Sequence, residues 1–578
     1  NDLGDKLQIN VSGLYATSAA GKHVWDVIAP YKPNKTNMLW LSVDIPDTAP
    51  AGFYRSQDHR IVIEVLPITL PSRHEWHFHL DLWQNPWSVA RAHGVKPWSD
   101  AHFRILHPHL QMLADAGQKV ITTTVVDDVW AGQTFDAHGS MVKWSGCGTP
   151  VYFSFDFTIL IKYVRACERA GIVGPIHVFS VLPWGTNRGC GAKDGKAKYT
   201  VYGSKYNYWE AAPGDKIYYQ LWTAFMKEFV IVARKEGWVK RIHFAFDERH
   251  DDEMMAAIKM LNQVLPDDFK PLKTASAYKY SDKFTDMITD LSPGFNHEVN
   301  WNSIAAARRA KGQKTTFYLC EWPKPPSANN FLVSPIHENK WVGWYAAANG
   351  LDGFLRWAFD SWPEDPLISG DFPGPHGHWP AGDTFLCYPN GWGSRRLAML
   401  REGIQDYEKF RVLKQFVDVS STLKKFVHAS IIPVDMMVHA QEQLNMLSRY
   451  VSKRNIQDNI YILRHADRFD TSFPAIWHAR ACKHRHDTPL SRVGFTQAAH
   501  ATQYLVNKKI NLDSILSSPY LRTLQTAEII AARYDMLVKS EGGLSEGWHK
   551  NVASPSERCA TFPYLDLNYK EEVHPKDG

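Results

Sequence analysis

The sequence predicts an α/β fold: a (β/α)8 barrel preceded by a partial β-sandwich and followed by a helical connector and a truncated, smaller α/β domain. Three observations carry this. Between residues 74 and 415, apolar β-branched runs alternate with helical periodicity, the rhythm of parallel strands joined by crossover helices, and eight such runs can be counted. One of them, Val239 to Arg249, ends abruptly on the adjacent carboxylates Asp247 and Glu248, and a helical pattern opens at Asp251. Residues 1 to 73 instead alternate short β-type runs with Pro/Gly-rich turns such as Pro46-Asp-Thr-Ala-Pro50, without helical periodicity. The full length of 578 residues exceeds one ordinary core and allows two to four domains at roughly 150 residues each.

Composition narrows the function classes. Hydrophobic content of 44% with 22% charged residues describes a globular protein. A net charge of +5 without a basic stripe and interleaved aromatics argues against a nucleic-acid partner. No apolar run reaches the ~18 residues of a membrane span. The seven cysteines form no CxxC pair and read as packed or free thiols. The 26 histidines include no HExxH and no compact His/Asp cluster of the usual metal type, so neither a metal nor a cofactor is expected. Twenty-two tryptophans suit a hydrophobic core and equally a pocket for sugar ring faces. The chain begins without Met or a signal-like segment, which reads as a start after processing or truncation. The sequons at Asn10 and Asn34 fit a secreted or lumenal, extracellular protein if it passes a eukaryotic secretory pathway.

In chain order, residues 1–73 form the partial N-terminal β-sandwich, with strands such as Met38 to Val43 and Arg60 to Val65. Residues 74–415 form the barrel. Its strands are expected at Trp76 to Trp83, Lys119 to Val126, Ile176 to Leu182, Arg241 to Asp247, Leu272 to Tyr278, Phe295 to Trp301, Thr315 to Trp322 and Gly353 to Phe359. In a barrel the C-terminal strand ends converge on one pocket. Those ends carry Asp81 and Trp83, Trp130, Trp184, Asp247 and Glu248, Tyr278, Trp301, Glu321 and Trp322, Trp357 and Asp360. The loop from Trp379 to Pro389, with Asp383 and Tyr388, follows the last strand and is expected across the pocket mouth; the helix Arg395 to Lys414 closes the domain. Residues 416–456 read as an amphipathic helical connector.

Two chemistries stand out. Paired acids at a strand end sit over a bound substrate in a barrel, although Asp and Glu are also favoured in a first helical turn by the dipole alone. In residues 457–578, an apolar run delivers Arg464 and His465, and Ile515 to Ala527 repeats the design with a strand, a turn and a helix bearing Arg522. An imidazole nucleophile between guanidinium groups is what phosphoryl transfer needs.

With Phe246-Asp-Glu248, the segments Leu82-Trp-Gln-Asn-Pro86, Lys96-Pro-Trp-Ser99, Gly353-Phe-Leu-Arg-Trp-Ala358, Ala381 to Pro389 and Arg401 to Tyr407 resemble glycoside hydrolase family 123 over about residues 1–415. That resemblance implies a retaining β-N-acetylgalactosaminidase using substrate-assisted catalysis. Asp247 would orient and polarise the 2-acetamido group, whose oxygen attacks the anomeric carbon to give an oxazolinium intermediate. Glu248 would act as acid, then base. Asp81, Trp83, Trp130, Trp184, Tyr278, Trp322, Trp357, Asp383 and Tyr388 are the expected substrate-binding residues, and the partner is a glycan bearing a terminal 2-acetamido sugar on a glycolipid, glycoprotein or oligosaccharide. Residues 457–578 resemble the histidine phosphatase superfamily, with a phosphoglycerate mutase-like fold, through Leu463-Arg-His-Ala466, Asp487 to Leu490 and Ser517 to Arg522. The expected remnant site is Arg464, His465, Arg522 and Glu546. The family needs a second active-site His on a later strand, and His574 lies in a polar stretch, so this domain is expected to be incomplete and inactive. The competing readings are a non-catalytic carbohydrate-binding or scaffolding protein, and a phosphatase with an inert barrel.

Overall fold

The computed structural model describes residues 7–33, 38–55, 61–147, 152–184, 196–203, 207–278, 286–374, 377–455, 462–474, 487–508, 510, 512, 514–541, 544, 555–558 and 561–569. The chain divides into two compact units, Asn1–Gln457 and Asp458–Gly578.

The first unit opens with three antiparallel strands, β1 (Gln8–Ala19), β2 (Lys22–Pro30) and β3 (Met38–Asp44), with β1 in the middle. Ala20 and Gly21 both have positive φ, the backbone a two-residue hairpin demands. A separate hairpin pairs β4 (Gly52–Arg55) with β5 (Val62–Val65). The outer edge of β2 is taken by Gly393–Ser394 from the far end of the unit. Beside that junction Asp26 accepts from Arg396 Nε at 3.0 Å and from Tyr388 Oη at 2.9 Å, all three buried. The N-terminal sheet is therefore anchored to the main body through a buried charge cluster.

The main body holds β6 (His79–Leu82), β7 (Ile121–Thr124), the hairpin β8 (Lys143–Cys147) and β9 (Tyr152–Asp156), β10 (Ile176–Phe179), the hairpin β11 (Ala197–Thr200) and β12 (Tyr208–Ala211), then β13 (Ile242–Asp247), β14 (Thr274–Tyr278), β15 (Asp290–Pro293), β16 (Lys314–Leu319) and β17 (Gly353–Arg356). Eight of these form one curled parallel sheet in the order β6-β17-β16-β15-β14-β13-β10-β7. The first strand thus pairs with the last. Gly353 makes that approach possible, since a Cβ there would lie 2.0 Å from the His79 carbonyl oxygen. Besides this ladder, Leu80 of β6 makes one isolated parallel bridge with Gln118, three residues before β7, in which the Lys119 N–H donates to the Leu80 carbonyl at 3.0 Å.

The expected strands coincide with observed ones except the sixth. Phe295 to Trp301 is not a strand; β15 is Asp290–Pro293, and Trp301 opens the helix Trp301–Ala310. Asp290-Leu-Ser-Pro293 has little strand propensity of its own and is held by its neighbours in the sheet, while Phe295 packs on Tyr345 and Trp341 with ring centroids 5.0 and 5.5 Å apart.

Helices cover the sheet. His337–Ala348 and Arg395–Leu413 cross almost backbone to backbone, because a Cβ on Gly343 would fall 1.9 Å from the Gly403 carbonyl oxygen. Asp406, buried in the same contact, accepts from Trp344 Nε1 at 3.0 Å and from Lys409 at 2.9 Å. Many tryptophans are core: Trp222, Trp238, Trp301, Trp341, Trp344 and Trp362 are fully buried. The expected connector packs into this unit, where Leu444 and Val451 of Val434–Asn455 join its core.

In the second unit, Ile515–Ser517 pairs in parallel with Val538–Ser540 beside Leu521–Tyr534. Its core gathers Leu505, Ile515, Leu524, Ile530, Val538, Phe562 and Leu565. The expected strand before His465 is not seen in its described part: residues 462–467 are irregular and Ile462 is 90% exposed. That run has no sheet neighbour among the described residues, and an apolar strand is stable in a parallel sheet only when both faces are covered.

Candidate active site

Strict alternation along β13 would send Asp247 and Glu248 to opposite faces of the sheet. The chain avoids this by turning at Glu248, which takes φ +48°, a left-handed conformation that costs a non-glycine residue energy and clusters at functional sites. The ladder survives the turn, because the Glu248 N–H still donates to the Ala277 carbonyl at 2.8 Å. Both carboxyls are half-buried and act on one another, each with its own donor. Trp184 Nε1 donates to Asp247 Oδ2 at 2.9 Å, and Tyr318 Oη donates to Glu248 Oε1 at 2.7 Å. Trp184 is itself fixed: its N–H donates to the Val129 carbonyl at 2.8 Å and its carbonyl accepts from the fully buried Arg249, whose guanidinium also binds Glu253 at 2.8 Å.

Burial raises the Asp247 carboxyl well above its usual range, and repulsion from Glu248 adds to this against the Trp184 and Trp130 indoles. Burial also raises Glu248, opposed by Tyr318 and reinforced by Glu321. Burial and the neighbouring Glu248 keep the Tyr318 phenol protonated as a donor. Two acids pushed upward together titrate as a coupled pair, so their protons belong to the pair and not to either residue.

Around the pair, Trp130 is buried, and its Nε1 makes no well-aligned hydrogen bond but favours the charged form of Asp247. Trp83 stacks on Trp130 at 5.1 Å and meets Phe179 at 4.8 Å. Arg356 and Asp383 form a fully buried ion pair at 2.7 Å, and Trp357 Nε1 donates to the other Asp383 oxygen at 3.2 Å. Burial pushes Asp383 to about 6 against the pull of Arg356. Burial raises the Cys320 thiol, and the charges of Asp383 and Glu248 both add to this. Trp357 meets Trp379 at 5.6 Å, and Trp379 Nε1 donates to the Gln133 carbonyl at 2.9 Å, so the loop after β17 reaches the loop after β7.

Of the residues expected from sequence, Asp247, Glu248, Trp83, Trp130, Trp184, Trp357 and Asp383 are gathered here. Three lie elsewhere. Tyr388 is buried against Asp26, Trp322 is 64% exposed, and Asp81 lies inside the sheet beside His177. Only the backbone of Tyr278 is described, and Glu546 and His574 lie outside the described residues. Tyr318 and Arg249 were not anticipated. Tyr318 was legible in principle, since it sits two residues beyond Thr316 on the inward face of β16. Also unanticipated is an interior layer below the acids, where His79, Asp81, His177, His243 and Asp290 replace the branched aliphatics that usually fill a barrel.

In the second unit His465 is half-buried with Nδ1 2.8 Å from the Ala466 carbonyl oxygen, and the buried Arg522 lies 4.4 Å from the Tyr520 ring centre. Arg464 is exposed. Asp487 forms a buried ion pair with Arg558 and accepts from the Leu521 N–H at 2.6 Å.

Comparison with known proteins agrees with this division. No curated protein matches the chain. A family 123 glycoside hydrolase from Clostridium perfringens, studied for glycolipid glycan hydrolysis, shares the fold at a TM-score of 0.66 and 22% identity, covering 78% of this chain and 88% of that one. An ecdysone phosphate phosphatase from Bombix mori, solved with tungstate, aligns with 20% of this chain and 57% of its own at 22% identity and a TM-score of 0.18. The family model of the histidine phosphatase superfamily (branch 1) matches residues 460–562. The glycoside hydrolase 123 catalytic-domain model matches residues 83–413, a span that contains the acid pair, its indole and phenol donors and the Arg356–Asp383 pair, and the chain belongs to glycoside hydrolase family 123.

Proposed function

We propose that the first unit is a retaining glycosidase that removes terminal β-linked N-acetylgalactosamine by substrate-assisted catalysis. Closure of the eight-stranded sheet into a full (β/α)8 barrel through the Leu80–Gln118 bridge is part of this reading. The observation that carries it is the left-handed turn at Glu248, which leaves two sequence-adjacent, half-buried acids acting on one another with a separate donor for each. An ordinary retaining pair flanks the scissile bond about 5–5.5 Å apart with one acid as nucleophile, and neighbours on one strand are poorly disposed for that. When the substrate's own acetamide oxygen attacks the anomeric carbon, one acid can hold the acetamide while its neighbour moves protons.

Asp247 accepts the acetamide N–H, with the Trp184 indole fixing the carboxylate and Trp130 Nε1 free to donate to the acyl oxygen. Bringing the amide N–H to Asp247 favours its ionised form and shifts the pair's shared proton to Glu248. Glu248 then protonates the leaving oxygen and, as carboxylate, takes a proton from the water that opens the oxazolinium ring. Tyr318 steadies Glu248 in both roles. Trp83, Trp357 and Trp379 supply apolar faces for the sugar ring and Asp383 an acceptor for its hydroxyls. The aglycone is carried on a glycolipid, a glycoprotein or an oligosaccharide outside the cell or in its lumenal compartments.

The test is hydrolysis of a chromogenic β-N-acetylgalactosaminide beside the plain β-galactoside, by the wild type and by Asp247→Asn and Glu248→Gln. Cleavage of the acetamido substrate alone, lost in both variants, is the expected outcome. Equal cleavage of the plain galactoside would sink the acetamide mechanism, and cleavage of neither would favour a glycan-binding protein.

A further inference from the structure

The interior layer beneath the acids leaves polar atoms unaccounted for. His177 on β10, His243 on β13 and Asp290 on β15 are 3%, 5% and 8% exposed, and one ligand-type atom from each lies within 4.8 Å of the others. Asp290 Oδ2 is 2.9 Å from His243 Nδ1 and 3.5 Å from His177 Nε2, within ion-pair reach of both, yet none of these contacts has the alignment of a hydrogen bond. Groups that approach this closely without pointing at one another are arranged as they would be around a common centre. In a tetrahedral zinc site, arms of about 2.0–2.1 Å put neighbouring ligand atoms about 3.3 Å apart, which these distances bracket.

Two further features fit. His177 Nδ1 lies 3.5 Å from Asp81 Oδ2, the carboxylate that a metal-bound imidazole uses to fix its ring and tautomer. His79 Nε2 lies 3.9 Å from Asp290 Oδ2 and offers a fourth nitrogen. A cavity of about 10 Å³ lies in the same layer, lined by His79, Asp81, His177, Ser276, Asp290 and Ser292, with room for about one water or ion. A single water satisfies only part of this set, because Asp81 Oδ1, Ser276 Oγ and Ser292 Oγ are also without partners.

We propose that His177, His243 and Asp290, with His79 or a water as fourth ligand, bind one divalent transition-metal ion of the zinc class. Two imidazoles and one carboxylate suit that class better than magnesium or calcium, which prefer all-oxygen shells. The ion pins β10, β13 and β15 together and neutralises Asp290. His243 precedes Asp247 by four residues on the same face, about 13 Å along the strand, so the ion stiffens the strand that carries the acids and does not touch substrate.

The test uses the full chain. Metal content is measured as purified, after chelation and after reloading with zinc, together with Tm as a function of free zinc and the visible spectrum of the cobalt-loaded protein. The expected results are close to one ion per chain, a Tm that rises with zinc concentration, and tetrahedral cobalt bands. His177→Gln and His243→Gln should each abolish the bands and the Tm rise, while His465→Ala in the other unit leaves both intact. If these variants do not fold, the wild type decides alone: chelated protein that takes up neither zinc nor cobalt, or binds them without a Tm shift, overturns the proposal. Cobalt bands that persist in both folded variants would overturn it as well.

Discussion

In the first unit the strand Ile242–Asp247 ends on two half-buried acids, Asp247 and the next residue Glu248, each held by its own donor. In the second unit the residues for phosphate chemistry are spread over an irregular segment and a helix start, with Arg464 exposed and a two-stranded sheet among the described residues. The difference lies in what surrounds the strand ends. At the end of an eight-stranded sheet covered by helices the carboxyls lose part of their hydration, and burial shifts their acidity upward. In the second unit His465 is only half-buried and Arg464 is exposed, while Arg522 is buried apart from them on its own helix. A family signature locates residues; the packing beneath them decides whether they are tuned for chemistry.

The comparison breaks most visibly at the acids. Glu248→Gln should lower kcat/KM for an N-acetylgalactosaminide by about 10³-fold or more, the scale of a lost general acid, whereas His465→Ala should leave that rate unchanged. The second unit by itself is expected to release no phosphate from a chromogenic phosphomonoester; release abolished by His465→Ala would show that exposure does not disable it.

Next in size is the anchor of the N-terminal sheet. Asp26→Ala leaves Arg396 buried without its charge partner and should cost about 3–5 kcal/mol, read as an earlier unfolding transition of the first unit in denaturant with that of the second unchanged. Trp184→Phe removes one hydrogen bond to a carboxylate, worth about 1.5–3 kcal/mol, and should lower kcat roughly tenfold to a hundredfold, with KM less affected.

The smallest effect has the opposite sign. Burial, with mutual repulsion, raises the Asp247 carboxyl above its unfolded-state value. The folded state therefore binds more protons between the two values, and stability that is full at low pH falls as pH rises through the folded-state range. Asp247→Asn removes that loss, so it should raise Tm by a few degrees near neutral pH and flatten its fall with pH while abolishing activity. A lower Tm would mean that the carboxylate is structurally required.

Strands with β-branched or aromatic runs, such as Ile242–Asp247, announced themselves, and the acid pair was readable because a strand that ends in two carboxylates is unusual. Asp290–Pro293 was not readable: its four residues are poor strand formers that hold their place through their neighbours in the sheet. Tyr318 and the His177, His243 and Asp290 group escaped for a related reason. Their partners lie on other strands, so sequence spacing carries no trace of them, and only the inward phase of each strand, once its register is known, brings them together. The segments Gly353 to Ala358 and Ala381 to Pro389 were visible as motifs, but their physical meaning, the buried Arg356–Asp383 pair, needed the fold.

The most direct measurement of the catalytic proposal is the rate of cleavage of β-galactosaminides whose N-acyl group carries no, one, two or three fluorines. A steep fall in kcat with each fluorine is predicted, because the acyl oxygen is the nucleophile and fluorine withdraws its electrons. Rates independent of fluorine would contradict acetamide participation and return the role of nucleophile to a carboxylate.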